Sequence, residues 1–242
     1  MGSITKGHTM LEALGATKRY DGVAALDALD LSVSRGEIVC LLGANGAGKT
    51  TTVNLFLGFL KPDDGQVRVD GAEVAADVRA ARAKLAYIPD QVNLFPLLTG
   101  AENLQYFARL AGRDLAASEA SDLLVRAGLA SAAVDRRVGG YSKGMRQKVG
   151  IAIALAKDAG ALVLDEPLTG LDPLAANDFG RHLGELRDAG TAVLMVTHDI
   201  FRAREIADRI GIMKQGKLVG MVAARDITAD ALDRLYAEHM HG

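Results

Sequence analysis

The residues best suited to phosphate chemistry lie between Gly43 and Thr50. Their sequence, GANGAGKT, matches the phosphate-binding pattern G-x-x-x-x-G-K-[ST] at every fixed position. Glycines here let successive backbone N–H groups turn toward an oxyanion, and a following helix adds the positive end of its dipole. We expect Lys49 to reach the β- and γ-phosphates and the Thr50 hydroxyl to hold Mg²⁺. The complete match disfavours the alternative, a glycine-rich turn with a solvated lysine.

The neighbouring residues predict the strand and helix that such a loop joins. Ile38–Leu42 is a short apolar run with β-branched residues, typical of a buried parallel strand. Residues 50–57 then predict the start of a helix. Cys40, the only cysteine, lies inside the strand, where we expect it to be a small buried hydrophobic residue.

An acidic pair follows a second apolar run, at residues 161–164. Asp165 and Glu166 would stand at the carboxyl end of a parallel strand, where α/β sheets bind their ligands. We expect Asp165 to hold Mg²⁺ through water and Glu166 to act as the base for the attacking water. An ordinary acidic strand end is the alternative, and the phosphate-binding loop upstream disfavours it.

A third polar cluster ends the apolar run at residues 192–196. It contains His198, which would leave a core strand beside the phosphate site. A single histidine is most often an ordinary polar residue. Its place here leads us to expect that His198 contacts the γ-phosphate and fixes both the water and Glu166.

Two further segments are ambiguous from the residues alone. Tyr20 is either an aromatic residue at a strand end or a platform for an adenine ring, since aromatic faces stack on bases. Ser142 is expected to cap the apolar helix that follows it. Basic residues in the first turn of that helix oppose its dipole, so this end is either simply a capped helix or an anion site.

The order of elements predicts an α/β fold. Strand patterns at residues 11–17 and 28–33, one of them alternating, indicate a partly antiparallel N-terminal β subdomain. Strand–helix alternation around a mostly parallel sheet is interrupted by a helical block. We expect one domain, with an α/β core at 1–89 and 159–225, a helical subdomain at 90–158 and a terminal helix at 226–242.

Composition bounds the function. The 242 residues carry a formal net charge of -2, which disfavours nucleic acid as a partner. No apolar run approaches the length of a membrane span, and residues 1–9 look like a loose leader without the apolar centre of a secretory signal. Any work at a membrane would therefore go through a partner.

Taken together, these segments resemble the nucleotide-binding subunit of ATP-binding cassette (ABC) transporters, a P-loop NTPase, from about residue 11 to 222. Residues 43–50 match its Walker A motif, residues 162–166 its Walker B motif with the catalytic glutamate, and His198 its switch histidine. Residues 170–172 match the loop that carries a switch aspartate, here Asp172. The resemblance implies ATP contacts from Tyr20, Gly43, Ala44, Asn45, Gly46, Ala47, Gly48, Lys49, Thr50, Thr51, Ser142 and Gly144.

The chain departs from the family pattern at two places. Its signature motif, residues 141–145, is YSKGM rather than LSGGQ, so Lys143 replaces a glycine. The glutamine that senses Mg²⁺ and water falls by spacing at Asp90, with Gln91 one place later, which leaves that ligand as Asp90 or Gln91. Both variants resemble a branch that includes many bacterial drug, lipid and antibiotic exporters.

The resemblance implies a mechanism and partners. Two cassettes, expected to be a homodimer, would meet head to tail and clamp Mg²⁺ and ATP between the phosphate loop of one and Ser142 and Gly144 of the other. They would drive a separate membrane-spanning subunit from the cytoplasmic face of the membrane. The apolar loop at residues 92–98 is the candidate contact to that subunit, or else simply a packed loop.

Other functions fit less well. An ABC-type ATPase in a soluble assembly complex, such as one that builds iron–sulfur clusters, is the alternative that length does not separate. Two-cassette translation factors and DNA-repair ATPases lack support, because there is no second cassette, no long heptad insertion and no basic excess. A small-molecule kinase would leave His198 and residues 141–145 unexplained.

Overall fold

The computed structural model describes residues 8–241. The strands are β1 (Thr9–Tyr20), β2 (Val23–Ser34), β3 (Ile38–Leu42), β4 (Asp64–Val69), β5 (Ala72–Glu73), β6 (Leu85–Ile88), β7 (Ala161–Asp165), β8 (Ala192–Thr197), β9 (Arg209–Lys214) and β10 (Lys217–Ala223). The helices are α1 (Lys49–Phe56), α2 (Val78–Ala83), α3 (Gly100–Leu110), α4 (Ala117–Arg126), α5 (Lys143–Lys157), α6 (Pro173–Asp188), α7 (Ile200–Ile206) and α8 (Ala229–His241). Short 3₁₀ turns lie at Ser131–Ala133, Val138–Gly140 and Ala224–Asp226.

A six-stranded sheet in the order β10-β9-β3-β8-β7-β6 carries the centre of the fold. The strands from β9 to β6 run parallel, and β10 is the antiparallel partner of β9. Every residue of β3 and β8 is buried. Covering on both faces explains why these strands appear in the sequence as uninterrupted apolar runs. Cys40 in β3 is fully buried, as predicted.

A second, antiparallel sheet in the order β2-β1-β4-β5 packs on the first. β1 and β2 form a hairpin whose turn, Asp21 and Gly22, has φ values of 48° and 82°. Positive φ at both positions suits a right-twisted hairpin. The predicted antiparallel N-terminal subdomain is therefore confirmed. Its strands run longer than the alternating residues indicate, because ladder pairing continues into the polar ends.

The helical block between β6 and β7 is also as predicted. Helices α3, α4 and α5 pack against one another, and α5 packs on β6. Leu104 and Leu124, both fully buried, belong to a core that continues into the parallel sheet. The block is thus joined to the sheet by packing as well as by the chain.

The ends of the chain add two observations. Helix α8 begins after Thr228, whose hydroxyl oxygen caps the helix by accepting a hydrogen bond from the Ala231 N–H at 3.2 Å. Most of the leader expected at residues 1–9 lies outside the described residues, and β1 begins at Thr9. Across residues 8–241, no helix combines the length and the apolar character that crossing a membrane requires.

Candidate functional site

Four segments with predicted chemistry follow the carboxyl ends of neighbouring strands. The phosphate-binding loop follows β3, His198 follows β8, Glu166 follows β7 and Asp90 lies two residues beyond β6. These four parallel strands are consecutive in the sheet. The segments therefore meet along one edge, where open α/β sheets place their ligands.

Two glycines let the loop approach its neighbours closely. A Cβ atom at Gly43 would lie 2.7 Å from the carbonyl oxygen of Met213, and one at Gly48 would lie 2.7 Å from that of Ala25. Gly48 also has a φ of 103°, a conformation that L side chains rarely adopt. A side chain at either position would push the loop away from β9 or β2.

Lys49 lies against the loop that precedes it. Its ammonium donates to the carbonyl oxygens of Gly43, at 2.6 Å, and Ala44, at 3.2 Å. Helix α1 has no side-chain cap and no acidic residue in its first turn, so its N–H donors face no competing carboxylate of that turn. The rim of the loop is exposed at Ala44, Asn45, Gly46 and Thr50, whereas Ala47 and Gly48 are buried and Thr51 is half-buried.

Asp165 and Glu166 are adjacent in sequence but differ in their surroundings. Burial raises the pKa of Asp165, the Glu166 carboxylate adds to the rise, and the Lys49 ammonium opposes it. Glu166 has a φ of 49°, which is uncommon for a residue with a side chain. Its carboxylate accepts hydrogen bonds from the hydroxyls of Thr197, at 3.0 Å, and Thr169, at 3.3 Å. A conformation of this kind persists only when the surroundings hold it.

His198 completes the group around Glu166. Its Nδ1 lies 3.0 Å from Glu166 Oε1. The imidazole is 59% exposed and the carboxylate only 20%, so the histidine forms the open side of a sheltered acid. The pairing of His198 with Glu166 predicted from the sequence is present.

Tyr20 ends β1 at the tip of the hairpin. Its side chain is 46% exposed, and the Lys18 ammonium lies 5.9 Å from the ring centroid. An exposed aromatic face beside a cation can accept a flat ring and suits an anionic ligand. The adenine-stacking role stays a prediction that this geometry permits.

The family is shown by comparison with known proteins. A family model described as ABC transporter matches residues 26–169. The daunorubicin/doxorubicin resistance ATP-binding protein DrrA of Streptomyces peucetius is 37% identical over 211 residues, which cover 86% of this chain and 64% of DrrA. The Nod factor export ATP-binding protein I of Burkholderia pseudomallei is 40% identical over 210 residues, 86% of this chain and 69% of that protein. The chain belongs to the ABC transporter family.

Solved structures agree with this assignment. An ATP-binding subunit of an ABC transporter superposes with a TM-score of 0.81 at 31% identity, covering 95% of this chain and 99% of that one. A dimeric ATP-binding cassette in a post-hydrolysis state with ADP and Pi gives 0.79 at 28% identity, covering 89% and 99%. The chain is thus an ATP-binding subunit and an ATPase. It spans 64 to 71% of the length of three curated relatives.

In this ABC ATPase the signature segment opens α5. The Ser142 hydroxyl oxygen accepts a hydrogen bond from the Met145 N–H at 3.3 Å, so the predicted cap is confirmed. A Cβ atom at Gly144 would lie 3.4 Å from that of Ala175 in α6. Asp172 caps α6 in the same way, accepting from the Ala175 N–H at 2.9 Å. Across residues 8–241, no hydrogen bond joins Ser142 to the phosphate-binding loop.

One contact at this end of α5 is not foreseen from the sequence. The Lys143 ammonium donates to the Asp90 carboxylate and to the carbonyl oxygen of Thr169. Lys143, one of the basic residues at this end of α5, therefore has an anion partner within the chain. Asp90 is half-buried in this pair, whereas Gln91 is exposed. Opposite charges at the two positions that depart from the family pattern are the signal that could have revealed it.

The apolar loop at residues 92–98 is partly packed and partly exposed. The Phe95 ring meets Tyr106 edge-on at 4.7 Å between centroids, and the Phe95 N–H donates to the buried Asn103 side chain at 2.8 Å. Phe95 is still 44% exposed and Leu97 is 77% exposed. The loop is thus packed in part, and its contact with a membrane subunit stays a prediction for the exposed residues.

Proposed function

We propose that this ABC ATPase powers an exporter through a separate membrane-spanning subunit. Two observations support export: the relatives named above are a drug-resistance protein and a Nod factor export protein, and the signature segment is YSKGM. Because the chain spans only part of such relatives' length, the cargo of those proteins is not transferred to this one. The chain would act at the cytoplasmic face of the membrane.

The catalytic proposal depends chiefly on Glu166, held by His198 and Thr197 beside the phosphate-binding loop. Lys49 and the first N–H groups of α1 would bind the β- and γ-phosphates. Glu166 would accept a proton from water as the water attacks the γ-phosphorus. The bond from that phosphorus to the β–γ bridging oxygen would break, giving ADP and phosphate. His198 would orient the carboxylate and contact the γ-phosphate.

Mg²⁺ fits the donor set at this edge of the sheet. Asp165 has a raised pKa because it is buried beside other carboxylates, Glu166 and then Asp90, and such crowding suits a cation. The ion would be held by the Thr50 hydroxyl, by Asp165 and by Asp90 or Gln91. When bound, it would neutralise charge on the phosphate oxygens.

We further infer that two copies act head to tail, since no hydrogen bond within residues 8–241 joins Ser142 to the phosphate-binding loop of its own chain. Ser142 and Gly144 of one chain would meet ATP on the other, Asp172 would lie at the contact, and Tyr20 would stack on adenine. Each chain would comprise a nucleotide-binding core at 1–89 and 159–225, a helical subdomain at 90–158 and a terminal helix at 226–242. Residues 92–98 would contact the membrane subunit.

The experiment that tests export is purification of the tagged chain from gently solubilised native membranes, with identification of what co-elutes. A stoichiometric multi-span protein is the expected result, and its identity would point to the cargo. The Lys49→Ala variant controls for dependence on nucleotide. Recovery with soluble partners alone would replace the exporter with an assembly ATPase and leave the nucleotide chemistry unchanged.

A further inference from the structure

Lys143 joins three parts of the chain that are far apart in sequence. It stands in the first turn of α5, while its two acceptors, Asp90 and Thr169, are 53 and 26 residues away. Asp90 follows β6, and Thr169 follows Glu166 after β7. The lysine stem passes Gly170, where an added Cβ would lie 4.0 Å from Lys143 Cδ. One ammonium therefore holds both loops that flank the candidate metal and water-activating residues.

A second side chain of α5 holds the same loop. Gln147, one helical turn after Lys143, donates its amide to the carbonyl oxygens of Pro89 and Asp90, at 3.4 and 3.2 Å. Gln147 is fully buried and its Oε1 has no partner within the described residues. Residues at i and i+4 share a helix face, so one face of α5 binds the loop after β6 twice. Gln147 binds the backbone of that loop, and Lys143 binds its Asp90 carboxylate.

The contact with Thr169 leads directly to the candidate base. Lys143 binds the carbonyl oxygen of Thr169, and the hydroxyl of the same threonine donates to Glu166 Oε2 at 3.3 Å. Any displacement of Lys143 would therefore change where the Thr169 hydroxyl points.

A surface ion pair with no further role is the simplest alternative. The side chains of Lys143 and Asp90 are 29% and 43% exposed, and such pairs contribute little to stability. Lys148 offers a direct comparison on the same helix. It pairs with Asp178 at 2.5 Å, and among the described residues no hydrogen bond or ion pair joins it to Thr169 or Asp90. Of these two lysines, only Lys143 also donates to a carbonyl oxygen, that of Thr169, whose hydroxyl donates to Glu166.

We propose that Lys143 is a positioning residue that couples the first turn of α5 to Glu166 of its own chain. The inference rests on the head-to-tail dimer proposed above, in which Ser142 and Gly144 on either side of Lys143 contact ATP held by the partner. Closure of the partner's site would then be transmitted through Lys143 and Thr169 to the base of this chain. The two ATP sites of the dimer would be linked through the two lysines.

The first test compares Lys143→Met with Lys148→Met for ATP hydrolysis. Lys143→Met is expected to lower kcat about tenfold and leave the KM for ATP within about twofold, because misplaced catalytic groups slow the reaction more than they weaken binding. Lys148→Met is expected to match the wild-type chain. Thr169→Val should reproduce the loss, and combining it with Lys143→Met should add little. Equal kcat in Lys143→Met and the wild-type chain would overturn the proposal.

Mixed dimers separate coupling within a chain from contact across the interface. In the first, one chain carries Lys143→Met and its partner carries Glu166→Gln, so the only intact Glu166 lacks the lysine of its own chain. In the second, one chain carries both substitutions and its partner is wild type. The baseline is a dimer of wild-type and Glu166→Gln chains, purified through two different tags.

Coupling within the chain predicts that the first mixed dimer is about tenfold slower than the baseline and that the second equals it. The reverse pattern would mean that Lys143 acts on the partner's ATP and would overturn the proposal. Failure of the wild-type chain to dimerise with ATP would instead count against the proposed function. The two failures are therefore distinguishable in one series of preparations.

Discussion

His198 and Glu166 stand at the ends of the neighbouring strands β8 and β7, with Nδ1 3.0 Å from Oε1. The other carboxylate oxygen accepts from the Thr197 hydroxyl, also at 3.0 Å. Both oxygens of Glu166 thus have partners at the carboxyl end of the neighbouring strand β8. A carboxylate oriented in this way needs little reorganisation when a reacting water approaches, which is where an enzyme gains most from fixed polar groups.

Replacing Glu166 by glutamine should separate binding from hydrolysis. The amide keeps the shape and can still accept from Thr197, but it cannot take a proton, so kcat should fall about 100-fold or more while ATP still binds. Phosphate release would measure hydrolysis, and sedimentation with ATP would show whether the variant still binds ATP and dimerises. Glu185→Gln, in the last turn of α6, is the control and should hydrolyse normally. Normal turnover in Glu166→Gln would remove it from the role of base.

Replacing Lys49 by alanine should remove tight nucleotide binding. Charge-assisted hydrogen bonds contribute about 1.5–3 kcal/mol each, so affinity should fall about 10- to 100-fold or more. A fluorescent ATP analogue would report the Kd, and circular dichroism would check the fold, because Lys49 also binds the Gly43 and Ala44 carbonyls. The exposed Lys61→Ala is the matched control. Undiminished affinity would contradict the assignment of the loop.

The buried strands could be predicted because a strand covered on both faces consists of consecutive apolar residues. Ile38–Leu42 has the predicted bounds, and the apolar runs at 161–164 and 192–196 lie within β7 and β8, since burial on both faces leaves a local pattern. The β5 strand is only two residues long and carries no such pattern. Sequence patterns thus locate elements that bury a face and miss those that only continue a ladder.

The individual residues of the site could be predicted from the sequence, but the contacts between its helix and its loops could not. Lys49, Glu166 and His198 lie at ends of apolar runs, and parallel strands bring such ends together. The contacts of Lys143 with Asp90 and Thr169 depend on how the helical block is seated on the sheet, which no local spacing records. Side-chain contacts between separate layers are fixed by packing, and packing is visible only in three dimensions.

Replacing Ser142 by arginine should prevent the ATP-dependent dimer. A long cation would fill the space through which the exposed Ser142 of one chain reaches ATP on the other, so sedimentation with ATP should show monomers alone. The substitution also removes a helix cap, which costs about 1 kcal/mol of stability. Thr228→Arg removes the comparable cap of α8 and should leave dimerisation intact. Dimers formed equally well by Ser142→Arg would count against the head-to-tail arrangement.

Cys40 should be inert to thiol reagents in the folded chain. Burial raises its pKa, so the reactive thiolate is scarce at pH 7–9 while the strand β3 is intact. A disulfide reagent at pH 8 should label it only in denaturant, and ATP should slow labelling further by stabilising the loop that follows.

The raised pKa of Cys40 also predicts a loss of stability at alkaline pH. As pH rises, the thiol ionises in the unfolded chain before it does in the folded chain, so above about pH 9 this group should lower the free energy of unfolding by about 1.4 kcal/mol per pH unit. Cys40→Ala should lack that part of the alkaline slope, and rapid labelling of the native chain would show that β3 opens more easily than its burial implies.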